Sequence, residues 1–161
     1  MSEEAAAVIA TATKLGLTVG CAESLTGGLV AADIVSIPGA SAVFRGSIVA
    51  YDSMLKNDLL GVDASTLAST GAVSAEVASA MAEGALARLG VDVAVATTGV
   101  AGPDPDPVSG EAPGAVFIAV AGGGLGTLVR EMSLGGDRDE IRQRATRAAL
   151  QALLDGLSTR E

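Results

Sequence analysis

A chain without a single histidine must find another base if it is to activate a hydroxyl nucleophile. Carboxylates remain, and so does lysine, which loses its proton near neutral pH when burial strips water from the ammonium. There are two lysines, Lys14 and Lys56, beside eight arginines. Arginine holds its proton too tightly to serve as a base at neutral pH. Lys14 falls in the first helical segment and reads as a solvated surface residue. Lys56 follows an apolar segment and lies five residues beyond the only tyrosine, Tyr51.

The hydroxyl candidate is Ser24, in the run Cys21-Ala22-Glu23-Ser24-Leu25-Thr26-Gly27-Gly28. A predicted strand here runs straight into a predicted helix. Free N–H groups at such a junction favour an anion or an oxyanion, and glycines let a ligand approach the backbone. Ser24 therefore reads as a nucleophile. The residues alone favour a helix cap, with Gly27 and Gly28 serving only close packing. The segment is neither a P-loop nor a G-x-S-x-G elbow. Tyr51 has two readings as well: a group that relays a proton or orients Ser24 and Lys56, or an ordinary strand-end side chain.

A third glycine-bearing turn, Thr97-Thr98-Gly99-Val100-Ala101-Gly102-Pro103, follows another apolar segment. Its backbone can close around a planar ring or a phosphate, or simply lead into the proline-rich stretch after it. Asp104 and Asp106 in that stretch read as solvated loop residues rather than ligands of a hard cation. Arg138 and Arg142, four apart on the last predicted helix, share a face. They suit a phosphate or ion pairs with Asp137, Asp139 and Glu140.

Positioning these three loops falls to an alternating series of elements. Helices are predicted at 2–16, 24–37 and 53–60, with another from Val73-Ser74-Ala75-Glu76 that turns Val77, Met81, Ala85 and Leu89 inward. Strands are predicted at 17–22, 46–51 and 91–97. A hairpin is expected from Ala115–Ala121 and Leu125–Met132 around a glycine cluster. Asp137 and Glu140 form a capping-box pattern for a final helix that ends near Leu157, with Ile141, Ala145, Ala148 and Leu153 on one side. Helices alternating with buried strands predict an α/β fold, a three-layer α/β/α sandwich with a mixed, mostly buried sheet. Ligands in such sheets sit beyond the carboxyl ends of the parallel strands, where the three loops lie.

Composition narrows the function further. The 161 residues are 49% hydrophobic and 18% charged, which excludes disorder and fits one domain spanning 1–161. The net charge of −9 and the lack of tryptophan disfavour nucleic acid and anionic membranes as partners. Without histidine, a Ser-His-Asp triad and histidine metal sites are excluded. One cysteine, Cys21, cannot form an internal disulfide and fits a reducing, cytoplasmic setting. Glu3 and Glu4 stand where a signal peptide would be basic. The charge-free run Ala112–Val129 is broken by Pro113, Gly114 and the glycine cluster, so it reads as two strands rather than a membrane span.

Taken together, five motifs resemble one family. Ala22-Glu23-Ser24 with Thr26-Gly27-Gly28 is similar to its A-E-S-x-T-G-G signature. Tyr51 and Lys56 match Y-x-x-x-x-K, and Gly71-Ala72-Val73-Ser74 matches G-A-V-S. Gly99-Val100-Ala101-Gly102-Pro103 resembles G-I-A-G-P. Gly136-Asp137-Arg138 with Ile141-Arg142 resembles G-D-R-x-x-[IV]-R. The order and spacing identify the chain as a member of the CinA C-terminal domain family, and its 161 residues resemble the family's stand-alone form. Three stretches depart from the family pattern. Leu25 replaces a frequent Cys, Asp52-Ser53-Met54-Leu55 replaces S-N-E-A, and Glu111-Ala112-Pro113-Gly114 replaces K-P-V-G.

The resemblance implies hydrolysis of the carboxamide of nicotinamide mononucleotide to nicotinic acid mononucleotide and ammonia. It implies a catalytic pair, Ser24 and Lys56, assisted by Tyr51. Neutral Lys56 takes the Ser24 proton directly or through Tyr51, and N–H groups near Thr26, Gly27 and Gly28 hold the oxyanion. Thr98, Gly99, Ala101 and Gly102, with Arg138 or Arg142, hold the nucleotide. No metal or cofactor is expected, and a homodimer or higher homo-oligomer is. A second reading keeps the fold as a nucleotide-binding or assembly module without useful turnover.

Overall fold

The computed structural model describes residues 2–122, 124 and 126–159. Its elements run α1 (Glu3–Leu15), β1 (Val19–Glu23), α2 (Leu29–Val35), a single 3-10 turn (Ala40–Ala42), β2 (Phe44–Val49), α3 (Ser53–Leu60), α4 (Ala64–Thr70), α5 (Ala75–Leu89), β3 (Val93–Gly99), β4 (Ala115–Gly122), β5 (Thr127–Ser133) and α6 (Arg138–Ser158). The five strands form one sheet in the order β2-β1-β3-β4-β5. β1 pairs in parallel with both β2 and β3, while β4 and β5 extend the sheet antiparallel. The expected mixed α/β sandwich is therefore the fold observed.

Two apolar layers sandwich the sheet. On one face, Val8, Ile34, Ile141, Leu150, Leu153 and Leu157 of α1, α2 and α6 meet Val19, Cys21, Val93, Val95 and Ile118. On the other, Val77, Met81 and Ala85 of α5 and Leu60 of α3 meet Ala22, Ala94, Ala96 and Phe117. Alternate residues of one strand thus serve opposite cores, as the two-residue period of a strand requires. Each fully buried Leu or Ile contributes roughly 1.5–3 kcal/mol. All five residues of β1 are buried, which explains its apolar run up to Glu23.

Most segments fall where the sequence places them, with physical reasons for the differences. Asp137 makes the full capping box with Glu140. On α6 the buried position is Ala149, with Ala148 half-buried. The helix predicted at 24–37 begins only at Leu29, because Gly27 and Gly28 take left-handed φ angles of 60° and 98° and keep 24–28 in a turn. α4 escapes the sequence reading: ASTLAST buries no residue, so it shows no apolar stripe, and its visible cue is the Asp63 cap. The hairpin is present as β4 and β5, but Leu125 lies outside the described residues. Among the described residues no helix is long and apolar enough to cross a membrane.

Candidate active site

The parallel strands β2, β1 and β3 end level with one another: Glu23 is in register with Val49 on one side and Thr97 on the other. Their following loops therefore converge, with Ser24 in the middle. The chain leaving β1 is held on both sides. The Ser24 N–H donates to Thr97 O at 3.0 Å, and the Ala50 N–H donates to Glu23 O at 2.9 Å.

Glu23 fixes the turn that carries Ser24. Its fully buried carboxylate accepts from the N–H groups of Gly28, Val30 and Ala31 at 2.9–3.1 Å. It also accepts from Thr26 Oγ1 at 2.8 Å and Ser47 Oγ at 2.9 Å. Glu23, not Ser24 or Thr26, satisfies the first N–H groups of α2, where a negative charge is favoured. Ser24 is thereby released from capping. The signal was in the sequence: a carboxylate ending an otherwise apolar strand, directly before a glycine-rich helix start.

Lys56 comes from the other side of the cavity. Asp52 caps α3 by accepting from Met54 N–H at 2.7 Å, which sets the helix phase. Lys56 and Leu60, four apart, then form the inward face. Leu60 anchors in the core beneath α5, and Lys56 is only 1% exposed. Its Nζ lies 3.0 Å from Ser24 Oγ, 2.8 Å from Ala50 O and 3.4 Å from Tyr51 O. Burial pulls the Lys56 pKa down from 10.5 to about 8, with the charges of Asp52 and Asp106 opposing the fall.

A cavity of about 230 Å³ opens above this pair. Ser24, Leu25, Tyr51, Ser53, Lys56, Ala72, Val73, Thr98, Gly99, Ala101, Asp106 and Arg138 line it. The structure thus brings together Ser24, Lys56, Tyr51, Thr98, Gly99, Ala101 and Arg138. Thr98 is fixed by donating from Oγ1 to Ala72 O at 2.6 Å. Leu25, Ser53, Ala72, Val73 and Asp106 join them without having been singled out as lining residues from the sequence. Asp106 corrects the solvated-loop reading; Asp104 beside it is exposed.

Several expected contacts are placed differently. Thr26 is fully buried, donating to Glu23 and sharing a hydrogen bond with Thr97 Oγ1 at 2.8 Å. The N–H groups of Gly27 and Gly28 are committed to Ser24 O and Glu23, so they do not face a ligand. Tyr51 is 62% exposed, and its hydroxyl accepts from Arg138 Nη2 at 3.1 Å rather than bridging Ser24 and Lys56. Arg138 Nη1 also donates to Gly102 O at 2.6 Å, so Gly102 supports the rim. Arg142 points beneath the site. Its Nε donates to Leu25 O at 3.0 Å and its Nη2 to Thr26 O at 3.2 Å, with Asp139 at 3.5 Å from Nη1. Arg142 braces the nucleophile turn, which leaves Arg138 as the arginine at the cavity among the described residues. Cys21 is buried, and burial together with Glu23 raises its thiol pKa, so it is chemically quiet.

This arrangement has counterparts. Residues 2–157 match the family model described as the CinA C-terminal domain. A CinA-like protein of Frankia casuarinae is 46% identical over 147 residues, covering 89% of this chain and 33% of that protein. A CinA-like protein of Mycolicibacterium gilvum is 45% identical over the same length, covering 89% and 34%. The chain therefore spans about a third of the length of these curated relatives. Among solved structures, the competence/damage inducible protein CihA from Agrobacterium tumefaciens superposes with a TM-score of 0.91 at 41% identity, covering 97% of this chain and 94% of that one. A competence-damaged protein (CinA) superfamily protein from Klebsiella pneumoniae gives 0.92 at 30% identity, covering 98% and 97%. With its fold and nearly its whole length matched, the chain belongs to the CinA C-terminal domain family.

Proposed function

We propose that the protein hydrolyses the carboxamide of nicotinamide mononucleotide, giving nicotinic acid mononucleotide and ammonia. The observation that carries this reading is the 3.0 Å contact between buried Lys56 Nζ and Ser24 Oγ at the floor of a cavity. It supplies a hydroxyl and a base of suitable pKa in a chain that has no histidine.

Neutral Lys56 takes the Ser24 proton as Oγ attacks the carboxamide carbon. The C–N bond then breaks, and ammonia leaves with the proton returned by the Lys56 ammonium. A water, deprotonated by Lys56, cleaves the resulting ester and frees the acid and Ser24. Among the described residues, the N–H groups of Leu25 and Thr26 have no hydrogen-bond acceptor. That of Leu25, which lines the cavity, replaces those of Gly27 and Gly28 as the donor to the oxyanion. Arg138 has guanidinium N–H groups left for the phosphate, and the apolar side chains of Val73, Ala72 and Leu25 suit the ring. Tyr51 orients Arg138.

The test is ammonia release from nicotinamide mononucleotide by the purified protein beside Ser24→Ala. Release by the parent and at least 1,000-fold less by the variant is the expected result, the scale lost when a nucleophile is removed (roughly 10³–10⁶). Equal rates overturn the role of Ser24. No release from the folded parent overturns the reading in favour of a binding module.

A further inference from the structure

When Lys56 is neutral, as an attacking base requires, two formal charges still line the cavity: Asp106 and Arg138. Neither forms an ion pair with an opposite side chain among the described residues. Arg138 spends its bonds on Gly102 O and Tyr51 Oη. Asp106 is half-buried, in a loop that packs directly on Gly71. Its Oδ2 accepts all three of its hydrogen bonds, from Val108 N–H at 3.2 Å, Ser109 N–H at 2.7 Å and Ser109 Oγ at 2.8 Å. Its Oδ1 accepts none among the described residues. One oxygen thus folds the loop, and the other leaves a negative charge at the wall, near enough to Lys56 for each to feel the other. Leu25, Ala72, Val73 and Ala101 give the cavity an apolar part for a ring, and the hydroxyls of Ser24, Ser53 and Thr98 at the wall are neutral, so they do not cancel that charge.

A cavity with an anion at one point and a cation at its rim fits a ligand with the opposite pattern. We propose that Asp106 is a specificity-determining residue that selects a positively charged heteroaromatic ring, while Arg138 takes an anionic tail. The inference rests on the proposed pyridine-nucleotide reading and deepens it: the site recognises the quaternary ring nitrogen, not only the carboxamide. A neutral ring of the same shape loses this attraction. Burial opposes ionisation of Asp106, but the Ser109 and Val108 hydrogen bonds outweigh it and keep the carboxyl below its ordinary range, so the charge is present at working pH.

Asp106→Asn separates charge from loop folding, because the amide oxygen can accept the same three hydrogen bonds. Binding is measured by calorimetry at about pH 9, where Lys56 is mostly neutral, in a Ser24→Ala background that prevents turnover. The ligands are nicotinamide mononucleotide and benzamide riboside 5′-phosphate, whose ring has carbon in place of the charged nitrogen. The expected result is a weakening of about tenfold or more for the cationic ligand, the scale of one charge contact in a partly open site, with the neutral ligand unchanged. Equal loss for both assigns Asp106 a merely structural role and overturns the proposal. No loss for either, or no binding of either to the Ser24→Ala protein with Asp106 intact, overturns it too. Parent protein that binds with this charge preference yet releases no ammonia overturns the amidase reading while leaving the role of Asp106 standing.

Discussion

Lys56 Nζ and Ser24 Oγ lie 3.0 Å apart, and the other hydrogen-bond partners of that nitrogen among the described residues are two backbone carbonyls, those of Ala50 and Tyr51. A neutral amine has two N–H groups and one lone pair. The carbonyls suit the two donors, and the lone pair then faces the serine O–H. No carboxylate lies within ion-pair distance of Lys56 among the described residues, so nothing in direct contact locks the ammonium form. The same geometry that buries the lysine also aims its basic atom.

Activity should therefore follow deprotonation of Lys56. With a pKa near 8, kcat/KM should climb about tenfold per pH unit below 7 and level off above about 9. Asp52→Asn keeps a good helix cap but removes a charge that favours the ammonium. Its rising limb should move to lower pH. A pH–rate profile of both proteins decides this; a flat profile, or a limb that moves upward, would remove Lys56 as the base.

The framework of this site was open to reading in the sequence, because it rests on patterns with strong physical causes. Buried parallel strands show as apolar runs, and helix starts show as Asp137 with Glu140 or Ser74 before Glu76. Lys56 stood apart from Lys14 by following an apolar strand, and the family resemblance paired it with Ser24. What escaped depends on where separate segments meet. Gly27 and Gly28 looked free until the fold set the N–H of one on Ser24 O and that of the other on Glu23, reaching over from the preceding strand. Arg142 and Arg138 share a helix face by spacing. Only the placement of the 25–26 carbonyls below and the cavity above divides their roles. Asp106 was hidden because a proline-rich loop gives no periodic cue to which side faces inward.

Stability should carry the mark of the buried lysine. A pKa lowered from 10.5 to about 8 corresponds to a cost of about 3 kcal/mol in the charged, folded state. Between those values the unfolded chain binds the proton that the folded one has lost, so stability rises with pH through that window. Lys56→Met removes the cost along with the bonds to Ala50 O and Ser24. It should stabilise the fold by about 1–3 kcal/mol at pH 7, with the gain shrinking towards pH 10.5. Urea unfolding at both pH values measures it. A gain independent of pH would place the cause elsewhere.

The two arginines should separate kinetically. Arg142 grips the carbonyls of Leu25 and Thr26, so Arg142→Ala should lower kcat by roughly 10–100-fold with KM little changed. Arg138 stands at the cavity, so Arg138→Ala should raise KM about tenfold or more for the phosphorylated substrate. The nucleoside lacking phosphate should show no such rise. A KM effect for Arg142 and a kcat effect for Arg138 would reverse the assignment.

The position of Lys56 depends finally on a glycine outside the site. Gly84 lies inside α5, and a Cβ there would collide with the Leu60 carbonyl at the end of α3. Leu60 is one turn from Lys56, so forcing the two helices apart would draw the lysine away from Ser24. Gly84→Ala gains helix propensity, worth roughly 0.8–1.0 kcal/mol, yet overpacking of this kind costs about 1–3 kcal/mol. The sum should be a net loss of stability in urea, with kcat down about tenfold or more even where the protein is fully folded. Gly90→Ala is the control. It strains the left-handed cap of the same helix, φ 60°, but meets nothing within 4 Å. It should cost about 1 kcal/mol of stability and leave kcat alone. If both variants lower kcat alike, general loosening of α5 is responsible, and the close approach of α3 to α5 is not what seats the base.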